Sequence, residues 1–134
     1  MRRALAAAAV ALLAAACAKG TSGPGSDSAK GHLKIDQQIV GPLYVEGSAG
    51  YVTVTDNSSN TVYSGTLAKP STVELPAGSY TVDSYQKLCI GSCAHLGPPI
   101  DRCSAAVRIA SDATSSATVR LTPTKNACTI SVTN

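Results

Sequence analysis

From Leu33 onward, hydrophobic residues recur at every second position in short runs that Gly, Pro, Asn and Ser interrupt. This spacing is typical of strands with one buried and one exposed face, and helical spacing of three and four residues is not sustained anywhere in the region. Abundant β-branched Val, Ile and Thr also favour strands. The pattern predicts strands near residues 32–39, 43–46, 50–55, 61–67, 71–75, 79–87, 105–110, 117–122 and 127–132.

Two pairs of these segments are expected to form hairpins. Residues 56–60, Asp-Asn-Ser-Ser-Asn, tolerate left-handed backbone and bond their own main chain, which predicts a hairpin over residues 50–67. A second hairpin is expected to join residues 105–110 to 117–122. Short strands with one polar face bury their apolar faces best as two packed antiparallel sheets. The predicted fold class is therefore all-β, an antiparallel two-sheet sandwich.

The first 17 residues differ sharply from this pattern. Arg2 and Arg3 precede residues 4–16, which contain no polar side chain, and Cys17 follows. This order of charged, apolar and small residues is typical of an export signal. Thirteen residues rise only about 20 Å as a helix, short of the roughly 30 Å hydrocarbon core, so a cleaved signal is favoured over a permanent span.

The end of this segment, Leu13-Ala14-Ala15-Ala16-Cys17, resembles the lipobox of bacterial lipoproteins. The motif prefers Leu where this chain has Ala14. The resemblance implies that Cys17 is diacylated and becomes the first residue, and two or three acyl chains suffice for stable anchoring. We expect a protein anchored to the membrane on its extracytoplasmic face; cleavage near Ala16 or Ala18 and secretion is the alternative.

The rest of the chain divides into a linker and one domain. Residues 18–31 are rich in Gly and Ser and contain little to bury, which predicts a flexible linker. Residues 32–134 have the length of a single domain, the expected β-sandwich. Its basic and acidic residues are equal in number, seven of each, so we expect no nucleic-acid partner.

One motif within the domain carries a further resemblance. Residues 75–82, Leu-Pro-Ala-Gly-Ser-Tyr-Thr-Val, are similar to the L-P-x-G-x-Y-x-V signature of prealbumin-like sandwiches, which include carboxypeptidase-regulatory-like and collagen-adhesin B-type domains. Pro76 suits the second position of a turn and Gly78 the fourth, after which Tyr80 and Val82 point to one side of a strand. The resemblance implies about seven strands in a prealbumin-like or other immunoglobulin-like topology, and it implies no activity.

Four cysteines follow Cys17, which predicts two disulfides in an exported domain. Cys103 and Cys128 are expected to pair, because the chain leaves Cys103 along one strand and returns along the next, bringing Cys128 back to the same end of the sheet. Cys89 and Cys93 would then close a small loop. The other two pairings remain open.

Residues 89–103 are the least strand-like part of the domain, and a local function is expected there. Their C-x-G-x-C-x-x-L-x-P-P-x-D-x-C pattern resembles a cysteine-rich loop in lipoproteins of high-GC Gram-positive bacteria. The candidate binding residues are His95, Asp101 and Arg102. The alternative is a stapled structural loop in which Asp101 pairs with Arg102 or a backbone amide.

The sequence gives little support for a metal site or a catalytic site. Cys89 and Cys93 could supply soft thiolate ligands and His95 an imidazole ligand to a metal. Cysteines of an exported protein pair first, however, so we predict no metal and no cofactor. No nucleophile elbow or Ser-His-Asp order is present, and we predict no catalysis. The expected function is a non-catalytic surface lipoprotein whose stapled loop binds an envelope protein, peptide or glycan. A hydrolase or redox module using the same loop, or a pure spacer, are the alternatives.

Overall fold

The computed structural model describes residues 29–41, 47–90, 94–122 and 127–134. Within them the chain forms eight strands and no helix: β1 Lys30–Ile39, β2 Ser48–Asp56, β3 Thr61–Thr66, β4 Ser71–Pro76, β5 Gly78–Ile90, β6 His95–Ile109, β7 Thr114–Thr122 and β8 Ala127–Thr133. The strand predicted at residues 43–46, like the export signal and Cys17, lies outside the described residues. No helix in the described part of the chain is long and apolar enough to cross a membrane.

The strands form two sheets of four, in the orders β4-β1-β7-β8 and β3-β2-β5-β6. The predicted all-β two-sheet sandwich is therefore confirmed. Neighbouring strands are antiparallel with one exception, because β1 and β7 run parallel over the register His32–Thr114 to Ile39–Leu121. The described residues contain eight strands, where the resemblance of residues 75–82 implies about seven.

The hydrophobic core lies between the sheets, where the period-two pattern places it. Leu33 and Ile35 of β1 and Val52 and Val54 of β2 are at most 1% exposed, and the polar residues between them face outward. This alternation is why the strand positions are readable from sequence. The buried hydrophobic residues are Leu33, Ile35, Val52, Val54, Leu67, Leu75, Tyr80, Val82, Val107, Ile109, Ala117, Val119 and Leu121.

The turn between β2 and β3 confirms the first predicted hairpin. Asp56 Oδ1 accepts hydrogen bonds from the backbone amides of Ser58 and Asn60, at 2.8 and 2.9 Å. Ser59 takes the left-handed conformation with φ of 64°. The side-chain amide of Asn60, followed by these backbone amides, lowers the pKa of Asp56 below its ordinary value.

The second predicted hairpin is wrong. β6 and β7 belong to different sheets, so residues 110–113 cross from one sheet to the other instead of joining neighbours. The crossing is fixed by Asp112, whose backbone amide donates to the Lys30 carbonyl at 2.8 Å. Gly31 packs so closely against the Ala110 carbonyl that a side chain there would collide with it. Alternation along two strands does not reveal which sheet each one joins, and this packing decides it.

The motif at residues 75–82 forms the crossing from β4 to β5. Tyr80 and Val82 lie on one face of β5, as predicted, and that face is buried in the core. The Tyr80 hydroxyl donates to the Pro76 carbonyl at 2.8 Å. Such a tyrosine bond back to the chain a few residues upstream fixes the corner of a sandwich. Burial, and secondarily the charge of Asp56, raise the pKa of Tyr80.

The sandwich has two ends, which the register identifies. Lys30 pairs with Pro76, and the amide of Ala77 donates to the carbonyl of Ala29, so these residues mark what we call the Lys30 end. Ile39 lies at the other end of β1, as do Ile90 and His95, where β5 ends and β6 begins; we call this the cysteine end. The ten residues of β1 separate the two ends by about 30 Å.

Candidate functional site

The described residues of the segment 89–103 lie in two paired strands and not in the loop that the sequence predicts. β5 continues to Ile90 and β6 begins at His95. Pro98 and Pro99 are tolerated because β6 is an edge strand, and its pairing with β5 shifts register twice. The loop expectation is wrong because a bulged edge strand carries the same Gly and Pro residues as a loop.

One of these bulges sends two adjacent predicted binding residues to opposite faces. The register of β5 with β6 shifts between Ser84 and Gln86, which inserts one extra residue into β6. Asp101 lies in this bulge with φ of 48°, a left-handed conformation that Asp tolerates better than most residues. Asp101 lines a cavity between the sheets, whereas Arg102 lies over the ring of Tyr85 on the outer face.

The cavity opens at the cysteine end, between the ends of the two sheets. Its volume is about 510 Å³, within the range of small-molecule sites. Strands β1, β2, β3, β5, β6 and β7 contribute to its wall, as does the chain just after β3. The described residues that line it are Gln37, Ile39, Gly47, Ser48, Ala49, Gly50, Thr66, Ala68, Gln86, Leu88, Ile100, Asp101 and Leu121.

Among the apolar residues of the cavity wall stand five polar side chains, those of Gln37, Ser48, Thr66, Gln86 and Asp101. Gln37 and Gln86 carry amides that both donate and accept hydrogen bonds, and Asp101 carries the only ionisable group among the described lining residues. Gln86 is only 9% exposed. Because no lysine or arginine is among the described lining residues, the charge in the cavity favours neutral or cationic ligands over anionic ones.

Exposed apolar side chains cluster at the same end of the domain as the cavity, and two of them, Ile39 and Leu88, line it. Six large hydrophobic residues are exposed in the described part of the chain, and all but Val62 lie at the cysteine end. Clustered exposed hydrophobic side chains are typical of interaction surfaces, whereas scattered ones need no explanation. The five that form what we call the apolar rim are Ile39, Val40, Leu88, Ile90 and Leu96.

A disulfide closes one side of the sandwich. Cys103 and Cys128 are bonded, with their Cα atoms 5.4 Å apart, which confirms the predicted pair. The argument that favoured it is wrong, because Cys103 lies on β6 and Cys128 on β8, in opposite sheets. The bond therefore joins the edge strands of the two sheets, and both cysteines pack against the core.

The remaining cysteine pairing stays a prediction. Cys89 on β5 is disulfide-bonded, and Cys93, its predicted partner, lies outside the described residues. Where the structure describes the chain, no three His, Cys, Asp or Glu side chains come close enough to hold a metal ion.

The structure does not bring the three predicted binding residues together. His95 is exposed at the start of β6 and pairs with Ile90. It lies six residues before Asp101 along β6, a distance of roughly 20 Å in an extended strand. The alternative raised by the sequence, an ion pair between Asp101 and Arg102, is not seen. In the described part of the chain, the ion pair is the one between Lys30 and Glu74.

Several residues of the cysteine end escaped the sequence analysis. Gln37 and Gln86 look like ordinary polar positions in alternating strands, and nothing local marks Gln86 as inward-facing. The alternation that begins with Tyr80 and Val82 could have identified Gln86 as inward-facing, because Ser84 and Gln86 continue the same face of β5. Tyr51, Tyr85 and Lys87, on the outer face, were also missed.

No protein-family model and no curated protein sequence matches the chain. Among solved structures, listeriolysin O is similar over 78% of this chain and 22% of that protein, with 13% identity and a TM-score of 0.34. Wild-type pneumolysin is similar over 78% of this chain and 23% of its own length, with 9% identity and a TM-score of 0.33. The likeness thus spans less than a quarter of either protein, and at these TM-scores it says nothing about function.

Proposed function

We propose that this protein is a non-catalytic lipoprotein of the cell surface, anchored through Cys17 on the extracytoplasmic side of the membrane, whose sandwich binds a ligand at the cysteine end. One observation carries the binding role. The cavity, of about 510 Å³, and its apolar rim lie at the end of the domain opposite Lys30, where the described chain enters β1.

The positions of the Lys30 end and the cysteine end are compatible with an anchored domain that binds a ligand away from the membrane. A lipid on Cys17 would be followed by a flexible linker, and the twelve residues from 18 to 29 that precede β1 would span roughly 20 Å on average. The linker joins the domain near Lys30, so the Lys30 end would face the membrane. The cavity would then open about 30 Å farther out, along the length of β1.

The cavity wall defines the ligand class. Apolar residues such as Ile39, Leu88 and Leu121 offer contact with a compact apolar body, and the amides of Gln37 and Gln86 offer hydrogen bonds to one or two polar atoms. The carboxylate of Asp101 favours an amine or a hydroxyl near the bulge. The proposed ligand is a small, mainly apolar molecule or peptide side chain that is neutral or cationic.

The prealbumin-like class remains part of this proposal. It is supported by residues 75–82, which make the crossing between the sheets with Tyr80 and Val82 facing inward. Domains of that class supply binding surfaces or spacers and no common chemistry, which is consistent with a non-catalytic role.

The anchor is tested by the intact mass of the full chain extracted from membranes of a bacterial host. A protein that begins at Cys17 with a diacylglyceryl group is the expected result, and Cys17→Ala should leave the membrane fraction. A soluble wild-type protein, or one that keeps residues 1–16, would contradict the anchor and leave the binding role to its own test.

The binding role is tested by ligand-observed NMR with small apolar fragments that are neutral, cationic or anionic. Ser48 lines the cavity, and Ser48→Leu should weaken binding of neutral and cationic fragments about tenfold by filling it. Asp101→Asn, which tolerates the same backbone conformation, should weaken only the cationic ones. The matched control is Ser79→Leu, an exposed position at the Lys30 end. Equal binding in all four proteins would reject the cavity as the site.

A further inference from the structure

The outer face of the β3-β2-β5-β6 sheet carries a second ordered cluster, separate from the cavity. Tyr51 of β2 and Tyr85 of β5 are register partners, and their rings stack with centroids 5.3 Å apart and planes 13° from parallel. The ammonium of Lys87 lies 5.5 Å from the Tyr51 ring and 5.9 Å from the Tyr85 ring. The guanidinium of Arg102 lies 5.8 Å from the Tyr85 ring. We call these four residues the tyrosine–cation patch.

The patch is ordered by the sheet beneath it. Residues paired across strands on one face are close enough for their rings to stack, and the stacked pair and the cation–π contacts each favour this arrangement of the side chains. Arg102 reaches the patch only because the bulge at Asp101 turns it to the outer face. Side chains held in this way lose little conformational entropy when a ligand binds.

The two positive charges of the patch are not neutralised by ion pairs. In the described residues the ion pair is that of Lys30 with Glu74, at the other end of the domain, and neither Lys87 nor Arg102 takes part in one. Stacking on tyrosine leaves the N–H groups of a guanidinium available to a carboxylate, which Arg binds through two parallel hydrogen bonds. The patch is therefore complementary to a carboxylate-bearing ligand.

A groove beside the tyrosine–cation patch narrows the class of possible ligands further. It has a volume of about 420 Å³, and Arg102 lines it together with the hydroxyl residues Thr53 and Ser104 and the carboxylate of Asp83. Asp83 accepts hydrogen bonds from hydroxyl groups and repels a densely anionic polymer. A ligand that combines hydroxyl groups with spaced carboxylates satisfies both halves of this surface.

We propose that the tyrosine–cation patch and its groove form a binding site for acidic glycans, sugars that carry carboxylate groups. The carboxylate binds Arg102 and Lys87, and the sugar hydroxyls bind Asp83, Thr53 and Ser104. The domain's equal numbers of acidic and basic residues, together with Asp83 in the groove, disfavour a polyphosphate such as nucleic acid. This site goes beyond the proposed function, because none of its side chains is needed at the cavity.

The test uses the full chain and measures binding by calorimetry to oligogalacturonate, its methyl ester and poly-glutamate. The methyl ester keeps the sugar rings and removes the charge, and poly-glutamate keeps carboxylates without hydroxyls. Oligogalacturonate should bind at least about tenfold more tightly than either of the others. Poly-glutamate binding as tightly would show a simple anion surface and overturn the glycan assignment, as would an ester that binds equally well or an oligogalacturonate that does not bind.

Variants assign the binding to the patch. Lys87→Gln and Arg102→Gln should each weaken oligogalacturonate binding about tenfold. Lys34→Gln and Arg120→Gln, which remove exposed charges from the other sheet, are the matched controls and should change it less than about twofold. Equal losses of oligogalacturonate affinity in the patch variants and the control variants would overturn the assignment of this site. Fragment binding at the cavity should be unchanged in all four, so failure here is distinguishable from failure of the proposed function.

Discussion

The two halves of the sandwich interior are built from different residues. Towards the Lys30 end, the inward face of β5 carries Tyr80 and Val82, and Leu33 of β1 is fully buried. Towards the cysteine end, the same face of β5 carries Ser84 and Gln86. The first half is a packed apolar core; the second contains polar side chains and an open cavity of about 510 Å³.

Under the proposed function, this difference separates the half of the domain that stabilises the fold from the half that would bind a ligand. An apolar core packed without voids supplies most of the free energy of folding, and a cavity forgoes part of it. The cysteine end replaces the missing packing with a covalent bond, because the Cys103–Cys128 disulfide joins the two sheets near the region where their side chains no longer fill the space between them. We therefore expect substitutions in the two halves to have very different effects.

The largest difference is expected between two leucines. Leu33 is 0% exposed in the apolar half, and Leu33→Ala should lower the free energy of unfolding by about 4 kcal/mol because it leaves a cavity that cannot collapse. Leu88 is 37% exposed at the cavity rim, and Leu88→Ala should cost less than about 1 kcal/mol. Urea unfolding of both variants measures this. Similar losses would contradict the division of the interior into two halves.

The second-largest loss of stability is expected when the Cys103–Cys128 disulfide is removed. Its two cysteines are 25 residues apart, and the double variant Cys103→Ala, Cys128→Ala should lose about 3 kcal/mol of stability through the freed entropy of the unfolded chain. Hydrogen exchange sharpens the comparison, since amides near Gln86 should lose protection before those near Val82. Uniform loss of protection along β5 would mean that the bond stabilises both halves equally.

The smallest effect is expected at the Tyr80 corner. Tyr80→Phe removes the hydrogen bond to Pro76 and should cost about 1 kcal/mol. Because burial raises the pKa of Tyr80 above its ordinary 10.0, its contribution is complete below that pH and is lost as pH rises through the folded-state pKa. The stability difference between wild type and variant should therefore shrink above about pH 10. A difference that stays constant from pH 8 to pH 11 would exclude this titration.

Much of the local structure could be predicted from the sequence. The alternation of Val52 and Val54 with polar neighbours marked β2, and the turn chemistry of Asp56 and Asn60 marked its hairpin. Residues 89–103 could not be read correctly, because the glycine and prolines of an edge strand with bulges have the composition of a loop. For the candidate site, the sequence identified Asp101 and Arg102 as binding residues. It did not reveal the bulge that turns these two neighbours to opposite faces of the sheet.

What the sequence determined by itself is local: where each strand lies, which of its faces is buried, and how β2 turns into β3. These features depend on side-chain alternation and on bonds between residues close in the chain. Tertiary structure alone decided that β1 and β7 pair in parallel, that β6 and β7 occupy different sheets, and that Cys103 bridges to the opposite sheet. The cavity and the tyrosine–cation patch arise from such distant pairings, because residues far apart in the chain become neighbours only when the sheets assemble.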